Sequence, residues 1–341
     1  MKAIVKTEPK PGLTVTDVPE PPRGADPIIK IEAASICGSD LHVYEWSGGY
    51  DNFMKIPLII GHEGCGHVVH PGDSNLKEGQ RILVDPGAIC GECVYCRTGR
   101  DHICPTRKII GLHRDGLFAE YAAVPARCCI PLPEEIPATV AACIESLGTA
   151  VRGMDNAAPE IGDSAAIIGP GPLGLMSLVL CKAAGLSPII MFGTKQDDGL
   201  RMDMAKQLGA DVILHSEDPQ AREKLLKETK GLGVDHVFDW SGAAAGLAMG
   251  STLAKPGGQV VAGAIYGKNV ELDITGMVRK EISLLTIRSR PRGTWLRTLD
   301  LLANKVIDIS PIITKTFSLD QAVEAFDQAV DKKILKGVFV F

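Results

Sequence analysis

The 341-residue chain, 45% hydrophobic and 23% charged, exceeds what a single hydrophobic core usually supports, so two domains are expected. Its formal net charge of -5 leaves no excess of Lys and Arg for a nucleic-acid surface, and no run approaches the roughly 18 consecutive apolar residues that span a bilayer. The opening MKAIVKTEPKPG carries neither the apolar run nor the cleavage site of a secretory signal, so a cytoplasmic location is expected, and in that reducing setting ten cysteines point to metal rather than disulfides.

Up to about residue 150 the sequence reads as short strands broken by Pro and Gly (AIVKTE, PIIKIEAA, CGHVVH, QRILVD, AEYAAVP), an irregular β-rich unit. Within it CGSDLHVYEW gathers Cys37, Ser39, Asp40 and His42, and GHEGCGH then adds His62 and Glu63. A soft thiolate, an imidazole and carboxylates form a ligand set for a catalytic zinc, which keeps one position open. Between these stretches and residue 105, CGECVYCRTGRDHIC sets Cys90, Cys93, Cys96 and Cys104 at C-x2-C-x2-C-x7-C spacing, the pattern of a closed structural zinc site. An iron–sulfur cluster is the competing reading, because Pro105 follows the last cysteine. Cys65, Cys128, Cys129, Cys143 and Cys181 have apolar neighbours and read as core residues. Glu145, at the start of the helix read from ACIESLGTAV, is the candidate fourth ligand or a water-mediated partner of the catalytic zinc.

From about residue 164 apolar strands alternate with helix-length segments, the signature of a doubly wound α/β domain with its parallel sheet covered on both faces. After its first strand, AAIIGPGPLGL places Gly169, Gly171 and Gly174 in G-x-G-x-x-G order, with Pro172 and Leu173 at the helix entry, a fingerprint for a dinucleotide pyrophosphate. The second strand, PIIMFG, would end on an acid to hold the adenosine ribose of NAD. Gly193 stands there instead, followed by Thr194 and Lys195, a small, hydroxylated and cationic set that favours NADP over NAD. Asp197 and Asp198 are expected to begin the next helix, where carboxylates suit the dipole. Further on, the basic RSRPR at 288–292 is a candidate contact for a phosphorylated sugar, and GTWLRTLDLLANKV reads as a helix. FSLDQAVEAFDQAV reads as a helix capped by Ser318 and Gln321, and KGVFVF as a strand. In the most economical arrangement this tail rejoins the β-rich unit.

CGSDLH, GHEGCGHVV, the four-cysteine lobe, ESLGTAV and GPGPLG occur in the order seen in zinc-dependent medium-chain alcohol dehydrogenases, and the chain resembles their polyol and threonine dehydrogenase branch over its whole length. The resemblance implies a GroES-like catalytic domain at 1–153 and 290–341 with a structural lobe at about 88–106, a Rossmann NAD(P) domain at 154–289, and an active site in the cleft between them. It implies two zinc ions per chain, one catalytic on Cys37, His62 and Glu63 with Glu145 as the additional acid, and one structural. Such a zinc lowers the pKa of bound water from about 15.7 to about 7, and by the same effect readies an alcohol to give up hydride. Ser39 then takes the alcohol proton and His42 passes it to solvent, while Asp40 orients His62. Tyr44, Glu45 and Trp46 are expected to line the substrate pocket. The expected reaction is oxidation of a secondary alcohol of a polyol or sugar alcohol, with threonine-type amino-alcohol oxidation next, in a homotetramer or homodimer. A zinc-free quinone reductase and a noncatalytic NADP(H)-binding structural protein are the rival readings, and no nucleic-acid or membrane partner is expected.

Overall fold

A computed structural model describes residues 1–47, 49 and 53–341. Their contacts define two compact units, one of Met1–Ser146, Pro291–Asn304 and Ile313–Phe341, the other of Leu147–Arg290 and Lys305–Ile312. The described residues contain no helix long and apolar enough to cross a membrane.

The first unit is organised by a mixed sheet in the order Cys129–Pro131, Arg81–Val84, Gly64–His70, Ile28–Ser35, Lys336–Val340, Ile313–Phe317, with Tyr121–Ala123 also pairing on Ile28–Ser35. All pairs are antiparallel except the last, where Ile313–Phe317 and Lys336–Val340 run parallel. The late strand is locked to the early one by the register Val338↔Ser35, Phe339↔Ala34, so the tail does rejoin the β-rich unit. A second sheet joins Thr14–Asp17, Lys2–Lys6 and Leu58–Ile59. The core between these elements takes Ile4, Ile29, Ile31, Val68 and Ile82 from strands, and Phe118, Phe326 and Phe339 as its bulk. Phe118 meets Phe339 edge-on, ring centroids 5.1 Å apart at 68°, the arrangement that the ring quadrupoles favour.

The second unit is a six-stranded, wholly parallel sheet. Its strands are Ala165–Ile168, Ile189–Gly193, Val212–His215, Val234–Asp239, Ala254–Ala262 and Ser283–Thr286, in the spatial order third, second, first, fourth, fifth, sixth. Every residue of the first two strands is buried, which is why they read as unbroken apolar runs. The reversal of strand order after the first strand is the switch point at which such sheets take their ligands.

The Arg292–Ala303 helix buries Trp295, Leu299 and Leu302 on one stripe, and Ser318 and Gln321 form their capping box. Asp197 and Asp198 depart from expectation. Lys195–Asp197 is a single 3-10 turn and the next helix begins only at Leu200. Asp197 is instead buried, accepting the Thr194 N–H at 2.9 Å and the Thr194 hydroxyl at 2.7 Å.

Candidate functional site

Cys37 ends the strand-to-helix connection and is the N-cap of the Gly38–Glu45 helix. Asp40, in the first turn where negative charge is favoured, is fully buried and works in two directions. Its Oδ2 accepts the Cys37 N–H at 2.9 Å, and its Oδ1 faces His62 Nδ1 at 3.1 Å. With Nδ1–H given to Asp40, the Nε2 edge of His62 is turned inward, where the Ser39 hydroxyl lies 3.1 Å away. Burial pulls the His62 pKa down, but Asp40 and the Cys37 thiol outweigh it and hold it well above the ordinary value.

Gly61 makes the approach to His62 and Glu63 sterically possible. Its φ is +93°, and a Cβ there would lie 2.5 Å from the Phe118 ring. No side chain fits, and few would adopt that φ.

Glu63 is completely buried, and its carboxylate is enclosed by donors from three distant segments. Ser146 donates to Oε1 at 2.6 Å, Lys336 Nζ to Oε2 at 2.5 Å, and the Ser35 hydroxyl makes a very short bond to Oε2. Burial alone would raise the Glu63 pKa, but Lys336 and then His62 hold it below its usual value. Burial likewise opposes the charge on Lys336, and Glu63 more than compensates. Lys336, Ser35 and Ser146 did not emerge from the sequence reading; the only local signal was a lysine at the head of the apolar run KGVFVF.

One ligand atom each from Cys37, His62, Glu63 and Glu145 lie within 4.8 Å of one another, as do the four sulfurs of Cys90, Cys93, Cys96 and Cys104. In the second group the contacts are 3.5 Å for Cys93–Cys96, 3.6 Å for Cys90–Cys104 and 3.9 Å for Cys90–Cys96. Four thiolates around one zinc at about 2.3 Å would be about 3.8 Å apart. The spacing suits a single tetrahedral ion, whereas a cluster distributes its thiolates over several irons.

His42 lies three residues beyond Ser39, on the same helix face, and its exposed ring meets the Ser47 hydroxyl at 3.1 Å. Tyr44 and Trp46 are engaged in packing rather than facing an open pocket. The Tyr44 ring stacks on Phe326 at 5.1 Å and its hydroxyl donates to Asp327 at 2.6 Å, and the Trp46 ring packs on the core under the Lys6 ammonium. The basic run at 288–292 is also taken apart: Arg290 is buried and donates to Thr149 at 2.5 Å, and Arg292 donates to the Arg127 carbonyl at 3.3 Å.

In the second unit, Gly169 has φ +96° and is pressed against Ser241, while Gly171, the N-cap of Pro172–Ala183, would direct a Cβ into open space. A Cβ on Gly174 would lie 2.0 Å from the Gly169 carbonyl. This is the tight turn, open approach and close packing of a pyrophosphate cradle, with Leu173 in the first turn behind it. At Gly193 a Cβ would meet Met202 Cε at 2.4 Å and Pro170 Cγ at 3.0 Å, so a side chain there would have to displace the end of Met202. The Thr194 hydroxyl is committed to Asp197, Lys195 is exposed, and Arg201, which the sequence reading passed over, reaches Asp197 at 3.2 Å with its buried Nε unpartnered.

Two family models cover these elements, an alcohol dehydrogenase GroES-like domain over residues 24–134 and a zinc-binding dehydrogenase domain over residues 172–304. The chain is a zinc-dependent alcohol dehydrogenase. It belongs to the medium-chain family and acts with NAD(P). This dehydrogenase is 36% identical to an L-threonine 3-dehydrogenase of Pyrococcus abyssi, over 100% of its own length and 98% of that chain. Among solved structures, a zinc-binding dehydrogenase of Sinorhizobium meliloti bound to NADP matches with TM-score 0.88 and 29% identity, over 100% of this chain and 99% of that one. The L-idonate 5-dehydrogenase of Escherichia coli K-12 matches with TM-score 0.88 and 27% identity, over 100% and 98%.

Proposed function

We propose that this alcohol dehydrogenase oxidises a small, polar secondary alcohol to a ketone with NADP, and that an amino alcohol of the L-threonine type is its first substrate class. The observation that carries the substrate class is the full-length match to the Pyrococcus abyssi threonine dehydrogenase. Polyols are the second reading, favoured by the match to the idonate dehydrogenase. Steady-state rates with L-threonine, polyols and sugar phosphates, each with NAD and NADP, test both. Failure of every secondary alcohol would defeat the reaction, and faster turnover with NAD would defeat the coenzyme choice.

The donors Cys37, His62, Glu63 and Glu145 would hold the catalytic ion, and Cys90, Cys93, Cys96 and Cys104 the structural one. When bound, zinc supplies a Lewis acid that lowers the pKa of the substrate hydroxyl. Ser39, beside the inward edge of His62, takes the hydroxyl proton, and His42 carries it towards solvent. Asp40 fixes the tautomer of His62 and thereby its ligand geometry. Gly169, Gly171, Pro172, Leu173 and Gly174 receive the pyrophosphate through backbone N–H groups and the helix dipole.

Gly193, Thr194 and Lys195 border the adenosine end, and the cation for a 2′-phosphate comes from Lys195 and Arg201. Arg201→Ala is therefore expected to weaken NADPH roughly tenfold to a hundredfold and to leave NADH nearly unchanged in fluorescence titrations. Equal losses for both would show that Arg201 does no more than brace Asp197.

We also propose a homodimer or homotetramer, supported by the outer strand Ser283–Thr286, which among the described residues pairs only with Ala254–Ala262 and leaves Leu284 38% exposed. Sedimentation of Leu284→Lys should give a smaller species than the parent; an unchanged species would rule this edge out. The ten cysteines are all unbridged, which supports a reducing, cytoplasmic setting.

A further inference from the structure

Lys6 closes the Lys2–Lys6 strand and its side chain is completely buried. Lysine is rarely buried without an ionic partner, yet among the described residues no ion pair is made by Lys6, and burial pulls its pKa down to about 8. Its Nζ donates instead to three backbone carbonyls, Lys10 at 2.6 Å, Gly12 at 3.0 Å and Tyr44 at 3.3 Å. Three donors and three acceptors use up the ammonium. The remaining face lies 5.0 Å from the centroid of the Trp46 ring.

Two of these partners define the end of the helix that begins at Cys37. Tyr44 belongs to the last turn of Gly38–Glu45, where carbonyls lack intrahelical donors and the dipole is negative. The Gly12 N–H donates to the same carbonyl at 2.9 Å. Trp46 is the C-cap, in a left-handed conformation at φ 55° that a bulky residue seldom adopts, and its ring lies where the buried cation can hold it. The same short helix carries Ser39, Asp40 and His42, so a shift of its last turn is transmitted within eight residues to every one of them.

We propose that Lys6 is a positioning residue that locks the carboxyl end of the Gly38–Glu45 helix and so keeps Ser39 and His42 in register for proton transfer. It acts from the opposite end of the helix to the metal ligands and touches none of them. The proposal rests on the reading in which this helix carries the substrate proton.

The test compares Lys6→Met, which keeps the length of the side chain but removes its charge and donors, with Lys6→Arg, which restores both. Amide hydrogen exchange over residues 42–47 is measured together with kcat and the KM values, on proteins checked for zinc content. Lys6→Met should raise exchange there and lower kcat, each by about tenfold, the equivalent of losing one helix cap, with the coenzyme KM unchanged. Lys6→Arg should recover most of both. If Lys6→Met does not fold, Trp46→Leu, which removes the ring beneath the ammonium, should show the same changes at smaller size. Unchanged exchange in the folded variant overturns the proposal whatever happens to turnover. Faster exchange with unchanged kcat also overturns it, provided Ser39→Ala is slow. A Ser39→Ala variant as fast as the parent condemns the proton-route reading instead, and the exchange data alone then decide whether Lys6 is the lock.

Discussion

Cys37→Ala is expected to lower kcat by at least about a thousandfold, because the Lewis acid contributes several kcal/mol at the reacting oxygen and each 1.36 kcal/mol or so is a factor of ten. The same variant should bind one fewer zinc ion per chain and remain folded. Cys37 is only half-buried, and although alanine gives up the thiol half of the capping box, it retains the backbone N–H that donates to Asp40. The four-cysteine lobe is a separate group of donors and should keep its ion. Metal analysis by plasma emission, alongside kcat, decides the matter. A variant that kept its full complement of zinc would remove Cys37 from the ligand set, and one that lost both ions would show that the two sites are not independent.

The second large effect concerns a residue that never touches substrate. Lys336→Met takes the ammonium away from the Glu63 carboxylate at a site with 0% exposure, leaving it two hydroxyls and the neighbouring His62. Removing one partner of a buried ion pair costs about 3–5 kcal/mol, and that loss should appear as a lower denaturant midpoint for the transition of the first unit. Glu63→Gln alone should be destabilising for the converse reason, since the Lys336 ammonium would keep only the Ile36 carbonyl at 2.8 Å, the Ser146 hydroxyl at 3.1 Å and a neutral amide. The double variant should recover much of the midpoint, because neither charge is then stranded. Additive losses in the double variant would mean that the pair contributes through packing, not charge.

The legible part of this molecule was local in sequence. Cys90 to Cys104 and Gly169 to Gly174 announce their chemistry because a tetrahedral ion and a pyrophosphate turn impose spacing on a short stretch of chain. The parallel sheet showed itself through strands buried on both faces. Asp40 and His62, 22 residues apart, were joined only by the resemblance to a family, since nothing local links them. Lys336 and Lys6 were invisible for a different reason. A lysine in a strand is ordinarily a surface residue, and its burial here depends on acceptors contributed by other segments: Glu63 across 273 residues, Tyr44 across 38. Asp197 was misplaced because a carboxylate after a strand suits either a helix dipole or a capping turn, and only the fold of Gly193 to Gly199 chooses between them. Tyr44 and Trp46 looked like a specificity signature by their position, and their rings proved to be committed to Phe326, Asp327 and Lys6.

The strand pairing of Val338 with Ser35 also fixes a schedule. A ribosome adding about 5–20 residues per second needs roughly 14–55 s to pass from Glu63 to Lys336. Throughout that interval the acid exists without the cation that offsets its burial. The second unit, Leu147–Arg290 with Lys305–Ile312, emerges in the meantime with all six of its strands and can complete its fold first. The first unit, although its synthesis starts earlier, can close only when its late strand arrives. Interrupted synthesis would therefore release the second unit already made with the first half-finished, and nascent-chain proteolysis should find the segment that begins the sequence protected last.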